Sequence, residues 1–158
     1  MSSFAKAFLI GLVIVVVAVG AILVMQRGAR MDLPGQMKVR TVATDENTAL
    51  ALVDLHLTNP SDYSFMVKTV TVILETKTGE FPTETISRID AQRLFDAKPE
   101  AGPYHPTLYY KAIIPAHSTS DYTVAAQFSA PESILKDRKR FVVRIEEFNG
   151  KIVEYSEK

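Results

Sequence analysis

Apolar positions follow two different patterns along this chain. From Ala7 to Met25 the sequence AFLIGLVIVVVAVGAILVM is apolar without a break, carries no charge and shows no polar face recurring every three to four residues. A hydrocarbon core about 30 Å thick takes about 20 residues of helix to cross, and within it only a helix or a closed barrel satisfies the backbone polar groups. The run therefore predicts one membrane-spanning helix, with the lipid bilayer as the partner of residues 7–25. A cleaved secretory signal has a shorter apolar region ending at a small-x-small site. Ala18-Val19-Gly20 has that form, but Ala21 to Met25 stay apolar beyond it, which favours an uncleaved signal anchor.

Past the helix the period becomes two. Val53, Leu55 and Leu57 alternate with Asp54, His56 and Thr58, which predicts a strand with one core face and one wet face. After the turn cluster Asn59-Pro60-Ser61-Asp62, Val70, Val72 and Leu74 alternate with Thr69, Thr71 and Ile73, and Lys77 to Glu80 close that strand. Further strands are predicted over Tyr109 to Ile114, Tyr122 to Phe128 and Phe141 to Ile145. Asn149-Gly150, between Phe141–Phe148 and Lys151–Tyr155, predicts a hairpin with a two-residue type I′ turn. Short helical pieces are expected around Asp90 to Phe95 and Pro131 to Lys136, the second with Pro131 at its first helical position.

These elements give an all-β fold class: an immunoglobulin-like β-sandwich preceded by one N-terminal transmembrane helix. Residues 1–26 are assigned to a signal-anchor helix, 27–37 to a juxtamembrane linker containing Gly28, Pro34 and Gly35, and 38–158 to the sandwich. A chain of 158 residues then leaves about 115 for one domain of ordinary size. Gly11 and Gly20 lack the four-residue spacing that brings two membrane helices together, so the sequence sets no oligomeric state.

Charge narrows the partners. Lys and Arg total 18 and so do Asp and Glu, giving no net field towards nucleic acid or anionic lipid. The run Lys136-Asp137-Arg138-Lys139-Arg140 reads as a solvated turn. Sidedness is contested: Arg27, Arg30, Lys38 and Arg40 after the helix favour a cytoplasmic domain. A very short N-terminal tail and a sandwich hung on one helix favour a periplasmic or extracellular one, which is the reading adopted.

Candidate chemistry is sparse. The chain has no cysteine, which excludes thiol nucleophiles and thiolate metal sites, and its three histidines lack the paired spacing of a zinc motif. Asp54 and His56 share one strand face, and His117-Ser118-Thr119-Ser120-Asp121 holds every member of a hydrolytic triad within one turn. Triads are assembled by tertiary geometry, so both read as surface polar groups. No glycine-rich phosphate loop is present. No catalytic, cofactor or metal site is therefore assigned, and the protein is expected not to be an enzyme. A hydrolase built on one of these histidine groups is the alternative, and an accessory subunit of a membrane complex another.

The connection from Ser87 to Pro106 is longer than a sandwich turn requires. Leu94, Phe95, Tyr104 and His105 beside rigid prolines make it the candidate protein-partner loop, since loop aromatics bury much area at little entropic cost. The competing expectation is that Leu94, Phe95 and Tyr104 plug one end of the sandwich.

At Leu55-His-Leu-Thr-Asn59-Pro60, then Val70 to Leu74 with the Gly79 turn, the chain resembles the late embryogenesis abundant group 2, or WHy, domain. Ile114-Pro115-Ala116-His117-Ser118 leading into Tyr122-Thr-Val-Ala-Ala extends the resemblance over roughly Ala49 to Phe128. The chain has no tryptophan, where that family has a characteristic one. The resemblance implies a small immunoglobulin-like sandwich acting as a non-enzymatic stress-protective or binding module.

Overall fold

The computed structural model of the chain describes residues 11–21, 32–98, 101–102 and 104–157. Residues 11–21 form a helix, α1, in which Leu12 to Val17 and Val19 are all at least half exposed. No helix among the described residues is long and apolar enough to cross a membrane. Both ends of the span expected over 7–25, and the first part of the expected linker, lie outside the described residues.

A separate compact unit runs from Asp32 onward. Its strands are β1 (Gly35–Asp45), β2 (Thr48–Asn59), β3 (Phe65–Glu75), β4 (Glu80–Glu84), β5 (Ile113–Ile114), β6 (Ser118–Phe128), β7 (Arg140–Glu147) and β8 (Ile152–Ser156). Helix α2 (Arg88–Ala97) lies between β4 and β5, and α3 (Glu132–Lys136) between β6 and β7. One antiparallel sheet has the order β1-β2-β6, and the other β4-β3-β7-β8 with β5 also pairing β3. Beyond β4 the chain changes sheets: Thr85 bridges to Ala126, and the Ile86 amide donates to the Ala125 carbonyl at 2.8 Å.

Alternation explains why the sheets face one another. Val53, Leu55 and Leu57 of β2, Val70, Val72 and Leu74 of β3, and Phe141, Val143 and Ile145 of β7 meet in one buried cluster. A one-residue register slip would turn each of these sets to the wrong face, so burial fixes the register. Pro82, which cannot donate to a ladder, sits in the edge strand β4. Leu33 is buried where the chain enters the unit, and the Tyr155 hydroxyl donates to its carbonyl. Burial pushes the Tyr155 phenol well above its ordinary range.

Several sequence expectations change in detail. The hairpin at Asn149-Gly150 forms, but Glu147 N–H donates to Lys151 O and Gly150 N–H donates to Glu147 O, leaving three loop residues rather than two. Only Gly150, at φ +87°, is left-handed there, so a type I turn followed by a bulge replaces the type I′ turn. Of Tyr109 to Ile114, only Ile113 and Ile114 are strand, because Lys111 turns the chain at φ 67°. Pro131 caps α3 from outside instead of occupying its first turn. The segment read partly as linker begins a strand at Gly35: Met37 and Val39 pack on the core, while β1 pairs β2 along its whole length.

Two carboxylates are held by arginines where β3 ends and β7 begins. Glu75 accepts from Arg140 Nε and Nη2 at 2.7 and 2.8 Å, and Glu157 is paired with Arg138. Both lie below the ordinary carboxylate range, first because of these hydrogen bonds. A carboxylate depressed in the folded state stabilises above its unfolded value of about 4.3 and loses that contribution as pH falls through the folded value. Thermal melts should therefore be flat from pH 7 to 5 and drop by several degrees towards pH 3. The drop should shrink in Arg140→Ala and Arg138→Ala.

Glu147 is placed differently. It is buried on the core face of β7, and its Oε2 is the one buried side-chain oxygen without a hydrogen-bond partner among the described residues. A buried carboxylate oxygen without a hydrogen-bond partner is costly, and an apolar side chain of similar volume removes the cost. Glu147→Met is expected to raise unfolding stability by about 1–2 kcal/mol, read as a higher denaturant midpoint.

Candidate functional site

The outer face of the β1-β2-β6 sheet carries most of the candidate residues, ordered along β2. Leu50, Leu52, Asp54, His56 and Thr58 follow one another on this face, so it passes from apolar to polar. The predicted wet face is thus dry at one end. Phe95, Ala101, Leu94 and Tyr104 cover Leu50, Leu52 and Ala125 there, forming a second, smaller apolar cluster.

Helix α2 makes this cover. The Ser87 hydroxyl accepts from the Asp90 amide at 3.1 Å and donates to the Asp90 carboxylate at 2.6 Å, which fixes where the helix starts. Ala91 and Phe95, one turn apart, are then its buried residues. The Phe95 ring lies 4.5 Å from the Tyr104 ring, and the Tyr104 hydroxyl bonds to that of Thr107 at 3.2 Å. Of the candidate partner-loop residues, Phe95 is buried and Leu94, Tyr104 and His105 are half-buried.

Below this cover lies a polar rung. Arg40 donates to both Asp54 oxygens at 3.0 and 2.9 Å, and to the carbonyl of Ala101. Thr123, directly opposite Asp54, donates its hydroxyl to Oδ1 at 2.8 Å and accepts from the His105 amide at 3.2 Å. Gly102, at φ +95°, lies against the Arg40 guanidinium where a Cβ would collide with it. One arginine thus ties the long connection to the strands beneath. Asp54→Ala removes the paired counter-ion of a guanidinium only about one-fifth exposed. It is expected to cost about 2–3 kcal/mol, checked by denaturant titration, with protease cleavage appearing first in residues 98–106.

The next rung holds His56 and Asp121, opposed across β2 and β6, with Nδ1 donating to Oδ1 at 2.7 Å. Asp54 and His56 share the face as expected, but each has its own partner. The register instead joins His56 to the last residue of the His117–Asp121 segment. His117 turns away and pairs with Asp62 at 2.9 Å. Both His–Asp pairs are more than half exposed. The first borders a shallow depression of about 190 Å³ that Lys38, Asp54 and His105 also line. Among the described residues no hydroxyl is hydrogen-bonded to either ring, and no three His, Asp or Glu side chains converge as a metal site requires.

No family model and no curated protein matches this chain. Among solved structures, it is similar to the Northeast Structural Genomics Consortium target SoR45, with 10% identity over 80% of this chain and 82% of that one, at a TM-score of 0.40. It is also similar to the subunit in the structure of the Iho670 flagellar-like filament, with 9% identity over 99% of this chain and 98% of that one, at a TM-score of 0.36. At these scores the architecture rests on the chain's own sheets.

Proposed function

We propose that this is a single-pass, signal-anchored membrane protein whose immunoglobulin-like β-sandwich is a non-catalytic binding or scaffold module, facing the periplasm or the outside of the cell. The observation that carries the reading is the uncharged run from Ala7 to Met25, whose described centre is a helix with its apolar side chains exposed. A helix apolar all round needs either a protein core or lipid about it. The resemblance to the late embryogenesis abundant group 2 domain supports a protective or binding role.

The way the polar groups are used supports the non-catalytic part of this reading. Asp54 is engaged by Arg40 and Thr123, and His117 sits on an exposed turn with Asp62. A second reading, hydrolysis, has one observation in its favour: His56 and Asp121 form a base and its orienting carboxylate beside a depression. It still needs a nucleophile and an oxyanion donor. Membrane extraction with alkaline carbonate, followed by protease treatment of intact cells and right-side-out vesicles, tests the main reading. An unextractable chain digested from outside is the expected result. A chain released by carbonate overturns the anchor, and digestion only from the cytoplasmic side reverses the sidedness.

A further inference from the structure

We infer that the end of the sandwich carrying Met66, Tyr110, Ile113 and Phe148 lies in the lipid headgroup layer, so that the domain rests on the bilayer through an aromatic foot. The inference rests on the membrane-anchor reading above.

These four apolar side chains form one surface. Met66 and Ile113 are opposed across β3 and β5, and the Phe148 amide donates to the Met66 carbonyl at 3.2 Å. The Phe148 and Tyr110 rings are 5.3 Å apart, and the Lys111 ammonium lies 5.3 Å from the Tyr110 ring centre. Their exposures are 38% for Met66, 60% for Tyr110, 55% for Ile113 and 42% for Phe148. The chain neighbours of Met66 and Ile113 face inward, with Phe65, Val67 and Ile114 at or near zero. The sheet therefore has core residues at hand but turns these outward. Lys111 holds a left-handed backbone, uncommon for a residue with a side chain, and this turn is what presents Tyr110 beside Phe148.

Lipid is favoured as the occupant by where the chain enters the unit. Asp32 pairs with Lys151 at 3.6 Å, immediately after the turn Phe148-Asn149-Gly150, and Leu33 is buried behind it. The segment from Met25 to Asp32 is so short that covalent geometry limits it to about 25 Å. A surface tethered that closely meets the bilayer at high effective concentration. The chemistry also suits the interface: phenol and phenyl rings prefer the headgroup level, and a lysine stem lies along apolar surface while its ammonium reaches phosphate. Two further pairs of opposite charge lie at this end, Lys68 with Glu146 and Lys151 with Asp32.

The cysteine-free sequence permits a direct test with the full chain in phosphatidylcholine/phosphatidylglycerol vesicles. Nitroxide labels are placed on Ile113→Cys, on Val15→Cys in the apolar run, and on Thr78→Cys in the turn at the opposite end of β3. Power saturation compares collisions with oxygen and with a water-soluble nickel complex. The expected result is an oxygen-dominated Val15 label, an Ile113 label at headgroup depth with nickel access reduced at least threefold relative to Thr78, and return of Ile113 to the Thr78 value in Tyr110→Ser/Phe148→Ser. A lipid-buried Val15 label with Ile113 as wet as Thr78 overturns the foot and leaves the anchor standing. A wet Val15 label removes the anchor, and the foot with it. Ile113 shielded from both reagents, with spin–spin broadening that disappears on dilution with unlabelled chain, assigns the surface to a second copy and also overturns the proposal.

Discussion

Phe141→Ala should lower the unfolding free energy by about 4 kcal/mol, a fall in midpoint of roughly 15 °C for a domain of this size. The Phe141 ring is fully buried between the sheets, 5.8 Å from the Phe128 ring, with the Arg138 guanidinium 4.9 Å from its centre on the outer side. It lies opposite Leu74 in the β3–β7 pairing, which is the centre of its sheet. Strands held on several sides cannot collapse into the space a phenyl ring leaves, so the loss includes a cavity as well as lost transfer energy. Circular dichroism melts and denaturant titration should shift together, as in a cooperative two-state domain. A loss below about 1 kcal/mol would mean that the two sheets do not share this core.

Phe95→Ala should cost about 3 kcal/mol, and its consequence should be local before it is global. Phe95 belongs to the smaller cluster on the outer face of the β1-β2-β6 sheet, with Leu50, Leu52, Ala101 and Ala125. Losing its ring also leaves Tyr104 without its stacking partner. Hydrogen exchange should rise first in α2 and in residues 101–107, because segments with few buried contacts open below the global free energy. The same variant separates the two expectations for this loop. A large stability loss with unchanged recovery of a protein partner identifies Phe95 as a plug, whereas lost recovery at unchanged stability identifies it as a binding anchor.

Particular residues show how far the sequence carries. The alternation of Val53, Leu55 and Leu57 and of Val70, Val72 and Leu74 was enough to place strands and their core faces, because a pleated strand has a fixed period. Strand β1 was obscured by Pro34 and Gly35, which suggest a linker, although Met37 and Val39 alternate with Lys38 and Arg40. Gly35 is instead a point of close approach, where a Cβ would meet the His56 carbonyl and the Leu57 side chain at 2.7 Å. The Tyr109 to Ile114 stretch has strand composition, yet the Lys111 and Ala112 backbone groups bond back to Val67 and turn it. Composition reports what a segment favours, and the partner that captures its backbone decides the outcome.

The candidate site divides along the same line. Asp54 and His56 on one face, and a crowded His117 to Asp121 segment, are sequence facts. The β2–β6 register, which opposes His56 to Asp121 and Asp54 to Thr123, arises from packing two inner faces on a common core. No local signal contains that information, since the paired residues are 65 and 69 positions apart.

By itself the sequence determined the apolar run, the period-two strands, the Asn149-Gly150 hairpin and the absence of thiol chemistry, all properties of neighbouring residues. Only the tertiary structure decided that Leu50 and Leu52 are roofed by Phe95, that Arg40 ties the long connection to Asp54, and that Tyr110, Ile113 and Phe148 share one exposed end. Those outcomes depend on which distant strands pair and in what register. That choice is made by the burial free energy of the whole core, summed over contacts far apart in the chain.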